Sequence, residues 1–73
     1  MINIYVRRYF YGQPPTWLPL TDGGLLIKAP STEAAKALIA ALRAGVHRLR
    51  HGEYSAPDYG IRGEDGRIRP IEL

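Results

Sequence analysis

The stretch APSTEAAKALIAALRAG (29–45) constrains the fold more than any other part of the chain. Ala35, Leu38, Ile39 and Leu42 recur at helical spacing and form one apolar stripe. Ser31 is a good N-cap, Glu33 and Arg43 complement the helix dipole at its two ends, and Gly45 stands at C′. Ala34, Ala37 and Ala41 let such a helix lie close to a sheet. A single helix packed on a mostly antiparallel sheet covers one face and leaves the other open.

The remaining patterns predict that sheet. In INIYVRRYF, Ile2, Ile4 and Val6 alternate with Asn3, Tyr5 and Arg7, the period of a strand with one buried face. GQPPTWLPL (12–20) carries three prolines and is expected to be a loop that packs Trp17, Leu18 and Leu20. After the turn TDGG, LLIKA (25–29) reads as a short strand, and VHRLR (46–50) as another. HGEYSAPD (51–58) is expected to be a connection. YGIRGEDGRIRPI (59–71) reads as a hairpin around Gly63 to Gly66, with Pro70 marking an edge strand. The expected fold is α+β: a single domain over residues 1–73, order ββαββ, with one helix on one face of a four- or five-stranded sheet.

Strand alternation then assigns the charges to faces. With Ile2, Ile4 and Val6 facing the helix, Tyr5, Arg7 and Tyr9 belong to the open face, and Tyr11 continues the row. Leu25 and Ile27 inward place Leu26 and Lys28 outward. Leu49 inward places Arg48 and Arg50 outward, Ile61 does the same for Arg62, and Ile68 for Arg67 and Arg69. Seven of the ten basic residues thus fall on one face, with no acid from an expected strand among them. Like charges on neighbouring strands repel, so such a face calls for an anionic or aromatic cover. That cover is either the Pro/Trp loop with the arginine stems, or a partner.

Composition narrows the function. The chain has no cysteine, which removes disulfides, thiolate catalysis and cysteine metal sites and fits a reducing cytoplasm. No apolar run approaches the length of a membrane span, and the N-terminus lacks the apolar core of a signal peptide. The net charge of +3 is modest, but eight of the ten basic residues are arginine, which suits bidentate phosphate or carboxylate contacts. His47 and His51 on one strand stand about 13 Å apart, too far to share an ion. Ser31 is a cap, and Ser55, Glu53 and Asp58 form no evident catalytic set. No metal, cofactor or enzymatic activity is expected. Gly63-Glu64-Asp65-Gly66 matches a GxxG loop formally, but its acidic centre suits a turn better than a phosphate clamp.

Ile27, Ala29, Ser31, Ala35, Lys36 and Ile39–Ala40, followed by the turn Glu64-Asp65-Gly66, resemble the strand-to-helix passage and hairpin of very small phage-encoded anti-CRISPR proteins. The resemblance covers residues 25–44 and 59–71, and the N-terminal Tyr/Arg strand and Pro/Trp loop have no counterpart in it. It implies inhibition by binding, without an active site, in a host bacterial cytoplasm. The expected partner is a protein or ribonucleoprotein complex such as a CRISPR surveillance complex. Nucleic acid itself and a second copy of the chain, forming a homodimer, are the alternatives. Binding is expected at Tyr5, Arg7, Tyr9, Lys28, Arg48, Arg50, Arg62, Arg67 and Arg69.

Overall fold

The alternation in the first strand sets the faces of the whole sheet. The computed structural model describes residues 1–45 and 49–71. In it, β1 (Ile2–Phe10) is the central strand. Along one edge it pairs with β6 (Glu53–Arg62), and β7 (Ile68–Pro70) adds to β6. Along the other edge it pairs first with β5 (Lys28–Ala29) and then with β2 (Trp17–Pro19). The described residues thus form a five-stranded sheet in which every pairing is antiparallel. With the one helix it makes the α+β fold that the sequence predicts.

The step from β2 to β5 departs from expectation. Residues 25–29 are not one strand. Leu25 and Leu26 form β4, which pairs with β3 (Thr21–Asp22) in a small hairpin, and both leucines are exposed. Gly23 and Gly24 occupy its turn with φ of 60° and 85°, a turn that demands left-handed backbone at both central positions. At the hairpin's base the Leu20 amide donates to Ile4 O (2.9 Å), the Ile4 amide to Ile27 O (3.2 Å), and the Ile27 amide to Leu20 O (2.9 Å). These bonds carry the β1 ladder across the excursion. Ile27 and Ala29 then turn inward, but Leu25 does not.

The Pro-rich segment also holds a strand. Trp17–Pro19 pairs with Arg7, Val6 and Tyr5 as an edge strand, the one place in a sheet where proline is tolerated. Likewise 53–58 is not a connection but the first half of β6. Pro57 fits because β6 is bulged there: Arg7 opposes Asp58, Tyr9 opposes Ser55 and Phe10 opposes Glu53, so two extra residues are absorbed in β6. Of the strand expected at 46–50, Val46, His47 and Arg48 lie outside the described residues. Leu49 and Arg50 are exposed and belong to no strand.

Helix α1 (Thr32–Gly45) starts where Ser31 Oγ accepts the Ala34 amide at 3.2 Å. Ala35 and Ile39 are fully buried against Ile4, Val6, Ala29 and Tyr59, with Leu38 and Leu42 alongside. Ile71 joins this core, its amide donating to Tyr59 O at 3.0 Å, whereas Ile68 does not. In β7 Ile68 stands opposite Arg62 and Arg69 opposite Ile61, the reverse of the expected orientation. The loop 63–67, closed by the Gly63 amide on Arg67 O (2.8 Å), sets that register.

Gly60, opposite Tyr5 on the face away from the helix, leaves no room for a side chain. A Cβ there would strike the Arg69 carbonyl oxygen and come within 2.9 Å of Trp17 Cη2. We expect Gly60→Ala to destabilise the fold by about 1–3 kcal/mol, read by denaturant unfolding, and to shift Trp17 fluorescence as the indole is displaced.

Candidate functional site

Odd-numbered residues of β1 build the face without a helix, and their cross-strand partners complete it. Trp17, Arg7 and Asp58 form one row across β2, β1 and β6; Pro19, Tyr5 and Gly60 form the next. Trp17 stands opposite Arg7, yet its ring reaches across β1 to Gly60, so the indole lies over the sheet. Tyr5, expected as an exposed binding residue, is instead buried, with the Arg62 guanidinium 5.3 Å above its ring. The loop and strand at 12–20 therefore cover part of the face that the helix leaves bare.

Arg7 is the hub of the other part. Its guanidinium lies 4.5 Å over the Trp17 ring and 5.7 Å from that of Tyr9. Its terminal nitrogen donates to Asp58 Oδ2 at 2.8 Å, its Nε donates to Tyr9 Oη at 3.0 Å, and Tyr9 Oη donates to the same Asp58 oxygen. The three side chains close a triangle, each half-buried. Burial works against ionisation of Asp58, but the hydrogen bonds from Tyr9 and Arg7 and the charges of Arg7 and Arg43 outweigh it, and its pKa falls below the ordinary value. The same hydrogen bond to Asp58, with burial, raises the pKa of Tyr9, and it raises that of Arg7. Chemically this is an ion pair held in one arrangement by three mutual hydrogen bonds.

An acid therefore does stand inside the basic face, contrary to expectation. Asp58 falls outside the expected strands because 51–58 reads as a connection; continuing the alternation back from Arg62 through Gly60 reaches it. The remaining basic residues scatter. Lys28 stands opposite Asn3 and shares the open face with Arg62; both are exposed, and neither forms a salt bridge among the described residues. Arg69 lies on the helix-bearing side and is held by Asp65 at 2.7 Å. Arg67 belongs to the turn, where its amide donates to Asp65 Oδ1. Arg50 lies with Arg8 and Phe10 on the helix-bearing side, and Arg48 is outside the described residues.

An aromatic cluster takes the place of the lost arginines. Tyr54, at a bulge of β6, lies 4.9 Å from the Tyr11 ring and 6.1 Å from the Tyr9 ring, and both Tyr11 and Tyr54 are exposed. Tyr54 was not expected here, since the bulge that brings it to Tyr9 has no signature in the residues around it. Among the described residues no group of His, Asp or Glu is placed to hold a metal ion, and no helix is long and apolar enough to cross a membrane.

No protein-family model matches the chain, and neither a curated protein nor a solved structure matches it.

The triangle has a measurable consequence. Because the folded-state pKa of Asp58 is lowered, its contribution to stability is present above the ordinary value of 3.8 and is lost as pH falls through the folded value below it. Acid unfolding followed by Trp17 fluorescence should show this loss. Asp58→Asn should remove about 1–3 kcal/mol at neutral pH, by leaving Arg7 half-buried without its anion, and should flatten the acid limb.

Proposed function

We propose that the chain is a small non-enzymatic binding protein of phage or bacterial origin that acts on a nucleic-acid-handling complex in the bacterial cytoplasm. In its most specific form it inhibits a CRISPR surveillance complex by occupying its surface. The observation that carries this reading is the open face itself. Arg7 is fixed between Trp17 and Asp58, and the same face carries exposed Tyr11, Tyr54, Lys28 and Arg62. Tyrosine and arginine on a rigid strand scaffold are the residue types that dominate binding hot spots. The polar triad of Arg7, Tyr9 and Asp58 is held in place by its members' own hydrogen bonds, which pre-organises it for recognition. The sequence pattern at 25–44 and 59–71 supports the inhibitor form.

A second reading is favoured by the Tyr9–Tyr54–Tyr11 cluster, whose exposed rings offer a stacking surface for bases with Arg62 and Lys28 on the same face. Direct binding to nucleic acid makes affinity fall steeply with salt, while docking on a protein complex gives a shallow slope.

The test is a titration of the chain into a purified CRISPR surveillance complex, and separately into short single- and double-stranded DNA and RNA at two salt concentrations. Inhibition of target-DNA loading that weakens at least about tenfold in Arg62→Glu combined with Tyr54→Ala supports the proposal. Salt-steep binding to free nucleic acid supports the second reading. Affinity unchanged by the double substitution would rule out the open face as the binding surface.

A further inference from the structure

Strands β3 and β4 supply no residue to the core beside which they stand. The ends of their hairpin already meet, because the Ile27 amide donates to Leu20 O at 2.9 Å, so the chain could turn there without residues 21–26. All six of those residues are exposed, and a Cβ added at Gly23 or Gly24 would meet nothing. The hairpin therefore projects from the sheet. It carries Leu25 and Leu26, 76% and 49% exposed, into water. Two leucines on a projecting ribbon that does nothing for the core point to an apolar surface that receives them.

Such a surface lies at the base of the same hairpin. Beyond Val6 no residue of α1 lines the helix-bearing side of β1 among the described residues, and a groove of about 560 Å³ remains there. Phe10, Pro14, Leu18 and Leu20 supply its apolar lining, and Leu18 is 58% exposed in it. Thr21, the first residue of β3, stands on its rim, yet neither leucine of the hairpin reaches the groove. The charges are complementary as well. Arg8 is taken by Glu53, but Arg50 on the rim and Asp22 on the hairpin are exposed and form no salt bridge among the described residues.

We propose that the chain forms a two-fold dimer in which each hairpin lies in the groove of the facing copy. Leu25 and Leu26 pack on Phe10 and Leu18, and Asp22 meets Arg50 across the interface. Hairpin and groove adjoin, so a single two-fold rotation engages both contacts and closes the assembly, with no hairpin left over to propagate a filament. A chain of 73 residues is short of core, and the exchange completes it. The interface lies on the helix-bearing side, so it is independent of the reading given to the open face and leaves that face free on both copies.

The test is sedimentation of the full chain between about 1 and 500 μM, with circular dichroism to show that each variant keeps its fold. A monomer–dimer equilibrium in the micromolar range is expected, because two hairpin contacts make a small interface. Leu25→Ser, outside the core, should weaken it at least about tenfold. Asp22→Arg alone and Arg50→Glu alone should each weaken it by a similar factor, since like charges then face each other at both contacts. Mixed in equal amounts, these two variants should recover most of the native affinity as a heterodimer, in which each hairpin again meets a groove of opposite charge. Tyr54→Ala, on the other side of the sheet, should change nothing. A chain still monomeric at about 500 μM, a dimer indifferent to Leu25→Ser, or charge variants that gain nothing on mixing would overturn the assignment. A dimer lost in Tyr54→Ala but kept in Leu25→Ser would overturn it in favour of pairing through the open face.

Discussion

A single fourteen-residue helix can cover only one face of this sheet, and the rest of the structure answers to that limit. On the covered face the solution is conventional, with Ile4, Val6 and Tyr59 packed on Ala35 and Ile39. Among the described residues no second layer of secondary structure covers the bare face, so side chains close it. Trp17 does most of this by crossing β1 to lie on Gly60, and that position tolerates no Cβ because the indole and the β7 backbone both approach it. Arg62 covers Tyr5 in the same manner. Long amphipathic side chains here do the work that a helix does on the other side.

The same limit explains the fate of the basic residues. A half-buried arginine on a side-chain-covered face needs an anion, and the bulged strand β6 supplies Asp58 at the right register to Arg7. The pair is neutral as a unit, so the face is less basic than its arginine count implies. What it retains is rigidity: Arg7 is fixed by two hydrogen bonds and an aromatic face, next to tyrosines that remain exposed. Among the described residues Lys28 and Arg62 on this side form no salt bridge, while Arg8 on the other side stands 3.6 Å from Glu53.

Much of the fold was legible because it is encoded locally. The Ser31 cap, the 35–38–39–42 stripe, the period of β1 and the Gly63–Gly66 turn each depend on residues within a few positions of one another. The errors share a different origin. The prolines of 12–20 suggest a loop and 51–58 reads as a connection, yet an edge accommodates Pro19 and a bulged strand accommodates Pro57. Ile68 and Ile71 are both apolar and of opposite parity, and local pattern cannot choose between them. Contact with Tyr59 chose Ile71, and Arg69 went to the helix-bearing side as a consequence.

The sequence by itself determined the class of fold, the placement of the one helix, and which β1 residues belong to which face. These follow from periodicity and capping, which act over one or two turns of chain. Tertiary structure alone decided what each charged residue meets. Arg7 and Asp58 are 51 positions apart, and their meeting depends on the bulges that shift β6 against β1. Glu53 meets Phe10 through the same pairing. A shift of one residue in such a register turns every side chain beyond it to the other face. Partners in a sheet are therefore set by the sum of cross-strand contacts, which no single stretch of sequence contains.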